Sequence, residues 1–344
     1  MPTQDQILTP CQRSRSVQLL ILLLVCSLAP AGTRRDDRTD AQYLEQATLS
    51  QFDPFGKFIT ISNGNHVCSG TLITPRFVLA AAHCVDQFSS TSNLGFVVGG
   101  QTYQADAITL HPDWPSGNPS SPPSDDGNDI AIVHLDSPVQ GVAPANRYRG
   151  TSELGAVGLY VGFGWTGDGN TGQQSGTGGQ KRAGQNMLDV LGSFVTGWDD
   201  GLILSDFDNA GDSQDSVFGS AGPLALEFQL AHLDSGSGVF IQEGGVWYLA
   251  AIGVLIADFS GDAIFSNYGD VTGSTRVAPH MSWIDQVLCP ADTDGNLQVD
   301  VDDLLELLGN WGFCSPPCLG DIDLNSQVDV EDLLSLLAAW GTCP

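Results

Sequence analysis

The 344-residue chain predicts a mainly β protein followed by a small α-helical module. Two observations carry this. Between residues 52 and 288, short Val, Ile, Leu and Phe runs alternate with Gly, Asn, Asp and Pro, the punctuation of an all-β barrel or sandwich. From residue 289 onward, an acidic loop followed by apolar residues at helical spacing occurs twice, 29 residues apart.

Composition narrows the function. Lys+Arg number 12 against 40 Asp+Glu, a net charge of −28, which excludes a nucleic-acid backbone or an anionic membrane surface as the expected partner. Charged residues are 15%, below the roughly 25% of an ordinary soluble domain. With 42% apolar residues and 41 glycines, the chain reads as a packed core with many turns, not a disordered acidic tail.

At the start, Arg13 and Arg15 precede an apolar stretch at 17–28 and then Ala29-Pro30-Ala31. This is the layout of a secretory signal peptide over 1–31 with a cleavage site after Ala31. The stretch falls short of the ~20 residues a membrane span needs, so no span is expected after cleavage and the product is secreted or held at the cell surface. Removing Cys11 and Cys26 leaves six cysteines, and an even number in an exported chain suggests three disulfides. Residues 32–51, with Arg34-Arg35-Asp36-Asp37-Arg38, carry no pattern and read as a pro-segment or a loosely held arm.

Strands are expected at 58–61, 71–73, 131–133, 159–161 and 246–256. The Gly-, Ser- and Pro-rich stretches at 115–129 and 164–184 read as exposed loops. A helix fits 278–288, with Met281, Ile284 and Leu288 on one face. Asp206, Asp208, Asp212 and Asp215 read as a solvated acidic loop, with cation binding as the alternative.

Three strings carry chemistry: Cys68-Ser-Gly-Thr-Leu-Ile-Thr-Pro-Arg-Phe-Val-Leu-Ala-Ala-Ala-His83-Cys84, then Asn128-Asp129-Ile-Ala-Ile-Val, then Asp234-Ser235-Gly236-Ser237-Gly238. Each alone has a structural explanation. Together, in the order His, Asp, Ser, they resemble the trypsin/chymotrypsin-like serine protease family over about 52–288. The resemblance implies a double six-stranded β-barrel with the active site between the barrels. It also implies Ser235 as nucleophile, His83 as general base and acid, and Asp129 orienting His83. The backbone N–H groups of Leu233 and Ser235 would form the oxyanion hole, Gln229 would lie at the specificity-pocket floor, and Cys68 would pair with Cys84. For those two cysteines, metal binding is the competing reading.

The sequence departs from the family in several places. Leu233 stands where the family nearly always has Gly, so its side chain could tilt the peptide or crowd the substrate. Ser237, in place of a second Gly, is a milder change. No Ile-Val-Gly-Gly-like start lies upstream of Phe52, so the partner of Asp234 is undetermined: another cation, a hydrogen-bond donor, or an immature pocket. Gln229 is neutral and names no preferred substrate residue.

Residues 289–344 contain no Lys or Arg and 11 acids. Asp292, Asp294, Asn296, Gln298, Asp300 and Asp303 fall at positions 1, 3, 5, 7, 9 and 12 of a calcium-loop spacing, repeated by Asp321, Asp323, Asn325, Gln327, Asp329 and Asp332. Gln298 and Gln327 would contribute backbone carbonyls. Leu297 and Ser326 replace the usual Gly of such a loop. After each loop, Leu304, Leu307, Leu308 and Trp311, and likewise Leu333, Leu336, Leu337 and Trp340, form one apolar helix face. Loop plus helix, twice, resembles a dockerin domain, which implies structural Ca2+ and a cohesin-like docking partner. Cys289 with Cys314 and Cys318 with Cys343 is the preferred pairing, and Cys289 with Cys343 plus Cys314 with Cys318 the alternative.

The expected protein is therefore an exported serine endopeptidase acting on protein or peptide substrates, with a calcium-binding docking module. The alternative is a weak or inactive protease-fold binding protein displayed through that module.

Overall fold

The computed structural model describes residues 32–115, 126–313, 320–323 and 325–343. The expected signal peptide, part of the 115–129 loop, and both Cys314 and Cys318 lie outside the described residues.

Six strands close into a first barrel: Phe55–Thr60, His66–Leu72, Phe77–Ala80, Ala131–Leu135, Gln101–Leu110 and Leu94–Val98, in that spatial order. Antiparallel pairing places Val78 opposite Val133 and Phe58 opposite Phe96, and these side chains fill the interior. A second, barrel-like sheet runs through Arg182–Met187, Val157–Gly162, Gly238–Glu243, Val246–Ala257, Val271–Arg276, Leu202–Asp206 and Val190–Leu191. Asn146–Arg147 adds to it parallel to Val246–Ala257, making eight strands where six were expected. Its central hairpin turns at Gly244-Gly245, both with positive φ, the conformation a two-residue hairpin turn requires. Helix Met281–Leu288 follows and buries Met281, Ile284 and Leu288.

The arm at 32–51 is not loosely held. Gly32–Arg34 pairs in parallel with Thr166–Asp168 and antiparallel with Phe228–Gln229, inside a four-stranded sheet completed by Gly172–Gln174. Helix Asp40–Gln46 follows, and Tyr43 on it is fully buried. Its hydroxyl accepts from Arg35 N at 3.1 Å and donates to Glu227 O at 2.9 Å. Asp40 receives two hydrogen bonds of 2.6 Å from the buried Arg182 guanidinium. A polar sequence hid this because the segment buries one aromatic ring and otherwise joins the body through backbone ladders and charged hydrogen bonds. For the same reason 164–184 is not a plain exposed loop: it holds two short strands and the start of a third.

The acidic stretch at 206–215 also differs from expectation at its start. Asp206 and Asp208 are buried, and the Asp206 carboxylate accepts from Val217 N and Phe218 N, at 2.7 Å for the latter, clasping the following loop. Asp212 caps the short turn Ser213–Asp215 through Gln214 N at 2.9 Å.

The C-terminal module repeats a loop and a helix, Val301–Gly309 and Val330–Ala338. Two-residue ribbons cross-link the copies: Gln298–Val299 with Gly341–Thr342, and Gly312–Phe313 with Gln327–Val328. Its core is small, built on Cys289, Ala291, Val299, Leu307, Val328 and Leu336. The preferred one-disulfide-per-repeat pairing is overturned, because Cys289 is bonded to Cys343, joining the two ends of the module. The single apolar helix face is also corrected. Leu307 and Leu336 are fully buried, whereas Leu308, Trp311, Leu337 and Trp340 are each about half exposed. Among the described residues, no helix is long and apolar enough to cross a membrane.

If the N-terminal arm is integral, Tyr43→Ala lowers unfolding stability by about 3–5 kcal/mol, as for other buried aromatic truncations. Urea unfolding checks this through a lower midpoint, and a loss under about 1 kcal/mol would mean a dispensable arm.

Candidate functional site

His83 lies on the short helix Ala82–Val85, directly after strand Phe77–Ala80. The next residue, Cys84, is disulfide-bonded to Cys68 on strand His66–Leu72, which clamps this helix to the barrel. Both sulfurs are used in that bond, so the metal reading of this pair is set aside.

Asp129 has no exposed surface and grips His83 twice. Its Oδ1 accepts from the His83 backbone N at 3.0 Å, and its Oδ2 faces His83 Nδ1 at 2.5 Å. The Asp129 carbonyl accepts from Thr275 Oγ1 at 3.2 Å, a residue of the second sheet, so this aspartate ties the two sheets together. Engaging Nδ1 leaves Nε2, which lies 3.7 Å from Cys84 Sγ, as the nitrogen that can act as a base. Burial disfavours the His83 cation, but the charge and hydrogen bond of Asp129, with help from Asp86, outweigh it and hold the pKa above the usual 6.5.

Ser235 stands at the tight turn before strand Gly238–Glu243. Its carbonyl accepts from Ser69 N at 2.8 Å, and Ser69 follows Cys68, the disulfide partner of His83's neighbour. Gly236 is fixed by its N–H donating to Gly253 O at 2.8 Å and has φ +81°. A Cβ there would fall 2.0 Å from Ser69 O, so only glycine lets the turn press against the first barrel.

Leu233 adopts φ +72°, the left-handed conformation that glycine enters freely. The chain therefore keeps the turn geometry at Leu233 and bears a strain of about 1–2 kcal/mol for it. Among the described residues, neither Leu233 N nor Ser235 N donates a hydrogen bond, which leaves both N–H groups free for an oxyanion. Between them, Asp234 is completely buried, with Oδ1 accepting from Gly164 N at 2.6 Å and Oδ2 from Ala231 N at 3.0 Å. Burial pushes its pKa up to about 7, against backbone hydrogen bonds from Gly164, Ala231, Phe163 and Gly32. Ser237 is accommodated because its hydroxyl donates to Val161 O.

A small cavity of about 110 Å³ beside Ser235 is walled by residues 230–233 and 253–256. Gln229 is fully buried, and its Oε1 accepts from Thr272 Oγ1 at 2.5 Å. It is not among the residues lining this cavity, and its Nε2 has no partner. His232 lies in the cavity wall with its pKa lowered by burial.

The C-terminal loops bring together part of the expected ligand set. In each copy, carboxylate oxygens of Asp292, Asp294 and Asp303, or of Asp321, Asp323 and Asp332, lie within 4.8 Å of one another. Asp303 Oδ2 accepts from Asp300 N and Asp332 Oδ2 from Asp329 N, each at 2.8 Å, closing the loop onto its helix. Asp300 and Asp329 cap the helices through Asp302 N and Glu331 N, both at 2.9 Å. The side-chain oxygens of Asn296 and Asn325 accept from Gln298 N and Gln327 N at 2.8 Å. Leu297 at φ +67° and Ser326 at φ +71° adopt the left-handed turn for which glycine is usual.

A family model described as Trypsin matches residues 44–213. The matched span holds His83 and Asp129, and Ser235 lies beyond it. Over 102 residues the chain is 31% identical to a venom serine protease of Polistes dominula, covering 26% of this chain and 33% of that protein. It is 35% identical over 79 residues to granzyme M of Homo sapiens, covering 23% and 30% respectively. With chymotrypsin-like elastase family member 1 of Bos taurus, it shares 36% over 81 residues, covering 22% and 29%. The chain thus spans about a third of the length of these relatives. Residues 44–213 are thus similar to the Trypsin family model, and the fold is mainly β with barrel-like sheets.

Because the folded pKa of His83 is raised, the His83–Asp129 pair adds stability that is fully present below 6.5 and is lost as pH rises through the folded value. The wild-type advantage over Asp129→Asn therefore holds below 6.5 and shrinks as pH rises above it through the raised folded value. Urea unfolding of both proteins across that rise in pH measures it, and a constant or growing gap contradicts it.

Proposed function

We propose that the chain is an exported serine endopeptidase that cleaves peptide bonds through an acyl-enzyme. The observation that supports this most directly is the buried Asp129 holding His83 Nδ1, with Ser235 anchored to Ser69 on the strand disulfide-bonded to Cys84 and two unengaged N–H groups beside it. Ser235 Oγ attacks the acyl carbonyl carbon while its proton passes to His83 Nε2. Asp129 stabilises the resulting imidazolium, and Leu233 N and Ser235 N donate to the developing oxyanion. Collapse breaks the C–N bond, His83 returns the proton to the leaving amine, and water repeats the sequence to free Ser235. The cavity beside Ser235, walled mostly by Leu, Ala, Val and Ile, suits a small uncharged substrate side chain.

The C-terminal module is proposed as a calcium-dependent docking domain. Asp292, Asp294 and Asp303, and their copies Asp321, Asp323 and Asp332, would hold one Ca2+ each. Asn296, Asp300 and the Gln298 carbonyl, or Asn325, Asp329 and the Gln327 carbonyl, would complete the oxygen set. The ion would relieve the repulsion of the clustered carboxylates. The half-exposed Leu308, Trp311, Leu337 and Trp340 give each copy an apolar face suited to a cohesin-like partner. On this reading the mature protein is secreted or held at the cell surface.

A fluorophosphonate probe labels the mature protein and fails on Ser235→Ala. Absence of labelling in both would favour the binding-protein alternative. Calcium titration by calorimetry gives two sites per chain, with Asp292→Ala and Asp321→Ala each losing one. An unchanged stoichiometry in either variant removes that loop from the calcium reading.

A further inference from the structure

The chain carries two lysines, Lys57 and Lys181, against 40 acidic residues. Lys57 comes from strand Phe55–Thr60 of the first barrel and Lys181 directly precedes strand Arg182–Met187 of the second sheet, yet both line one cavity of about 510 Å³. This cavity shares no residue with the one beside Ser235. Elsewhere cations face carboxylates, as Arg182 does Asp40 and Arg276 does Glu153. Among the described residues neither lysine forms such a pair. Lys181 Nζ donates to Phe52 O at 3.1 Å, and Lys57 Nζ lies 5.5 Å from the centre of the Phe163 ring. An ammonium has three N–H donors, so both retain donors for a further partner. Burial lowers the Lys181 pKa against the charge of Asp53, the one acid in the lining, and a bound anion would offset that burial.

The remaining wall is apolar. Phe55 and Phe163 stack at 5.4 Å and 10°, and Val97, Val98 and Val142 join them. The lining is open at Gly100 and Gly141, where an added Cβ would meet no atom within 4 Å. A volume of this size, with apolar walls and a few polar groups, is that of a small-molecule site. A hydrated ion such as phosphate would satisfy the lysines but leave the aromatic wall wet, and a neutral apolar molecule would leave both ammoniums unmatched. We propose that this cavity binds a small amphiphilic anion, with its carboxylate or sulfonate head on Lys57 and Lys181 and its aliphatic or aromatic body against Phe55, Phe163 and the valines. In a chain of net charge −28, the two lysines supply the local reversal of sign that lets an anion approach. The inference stands apart from the serine-protease reading.

Anilinonaphthalene sulfonate is titrated into the purified mature protein and followed by fluorescence, with dodecanoate as competitor. One probe molecule per chain is displaced by dodecanoate and not by dodecanol. Lys57→Gln and Lys181→Gln each weaken that displaceable binding about tenfold or more, as a lost charged hydrogen bond does. Val142→Trp, which fills the cavity and keeps both lysines, removes it. Thermal melting of each variant separates lost binding from lost folding, and if Lys181→Gln unfolds without its bond to Phe52, Lys57→Gln carries the test. Equal affinity in wild type and Lys57→Gln, or equal displacement by dodecanol, overturns the anion site. Displacement by a glutamate-rich peptide but not by dodecanoate overturns the small ligand in favour of an acidic protein segment. Binding that survives Val142→Trp overturns the location.

Discussion

The organisation of this molecule depends on the burial of Asp129 at the seam between its two sheets. One carboxylate accepts from the backbone and from the ring of His83, while the carbonyl of the same residue accepts from Thr275 across the seam. A charge without exposed surface is tolerated only where its hydrogen bonds are met, so packing at the seam and orientation of the imidazole are one constraint. Ser235 reaches the site from the second sheet and is held by Ser69 of the first. The Cys68–Cys84 bond ties that anchor to the helix carrying His83. Relative sliding of the sheets would break the two contacts that cross the seam, Thr275 with Asp129 and Ser69 with Ser235.

How far the sequence reveals this varies by segment. The runs at 131–133, 159–161 and 246–256 lie within real strands because most of their side chains are buried and apolar. Gln101–Leu110 left no signal, since most of its residues face solvent and only Ala105 is buried, although its backbone completes the first barrel. The N-terminal arm was missed for a related reason. Its contribution is a strand ladder, a Tyr43 hydroxyl and charged hydrogen bonds, none of which leaves a hydrophobic period. Tyr43 alone, in a polar helix, was the available hint.

At the site, the pairing of His83 with Asp129 was legible because an imidazole is oriented by a specific partner side chain. What was not legible were features carried by the backbone. Leu233 looked like a disruption of the turn, yet it takes the left-handed conformation that the turn requires. Leu297 and Ser326 do the same in the two C-terminal loops. Asp234 appeared to lack a partner because its partners are amide nitrogens, which no sequence motif announces. Gln229 was read as a pocket floor, and its amide oxygen accepts from Thr272, a partner the sequence does not announce.

The bond between Cys289 and Cys343 gives the C-terminal module a property separate from its folding. Because it joins the first and nearly the last residue of the repeat, a backbone cut inside the closed loop releases no fragment. The pieces stay covalently attached to the body that precedes Cys289. The repeat can be nicked once and still travel with the rest of the chain.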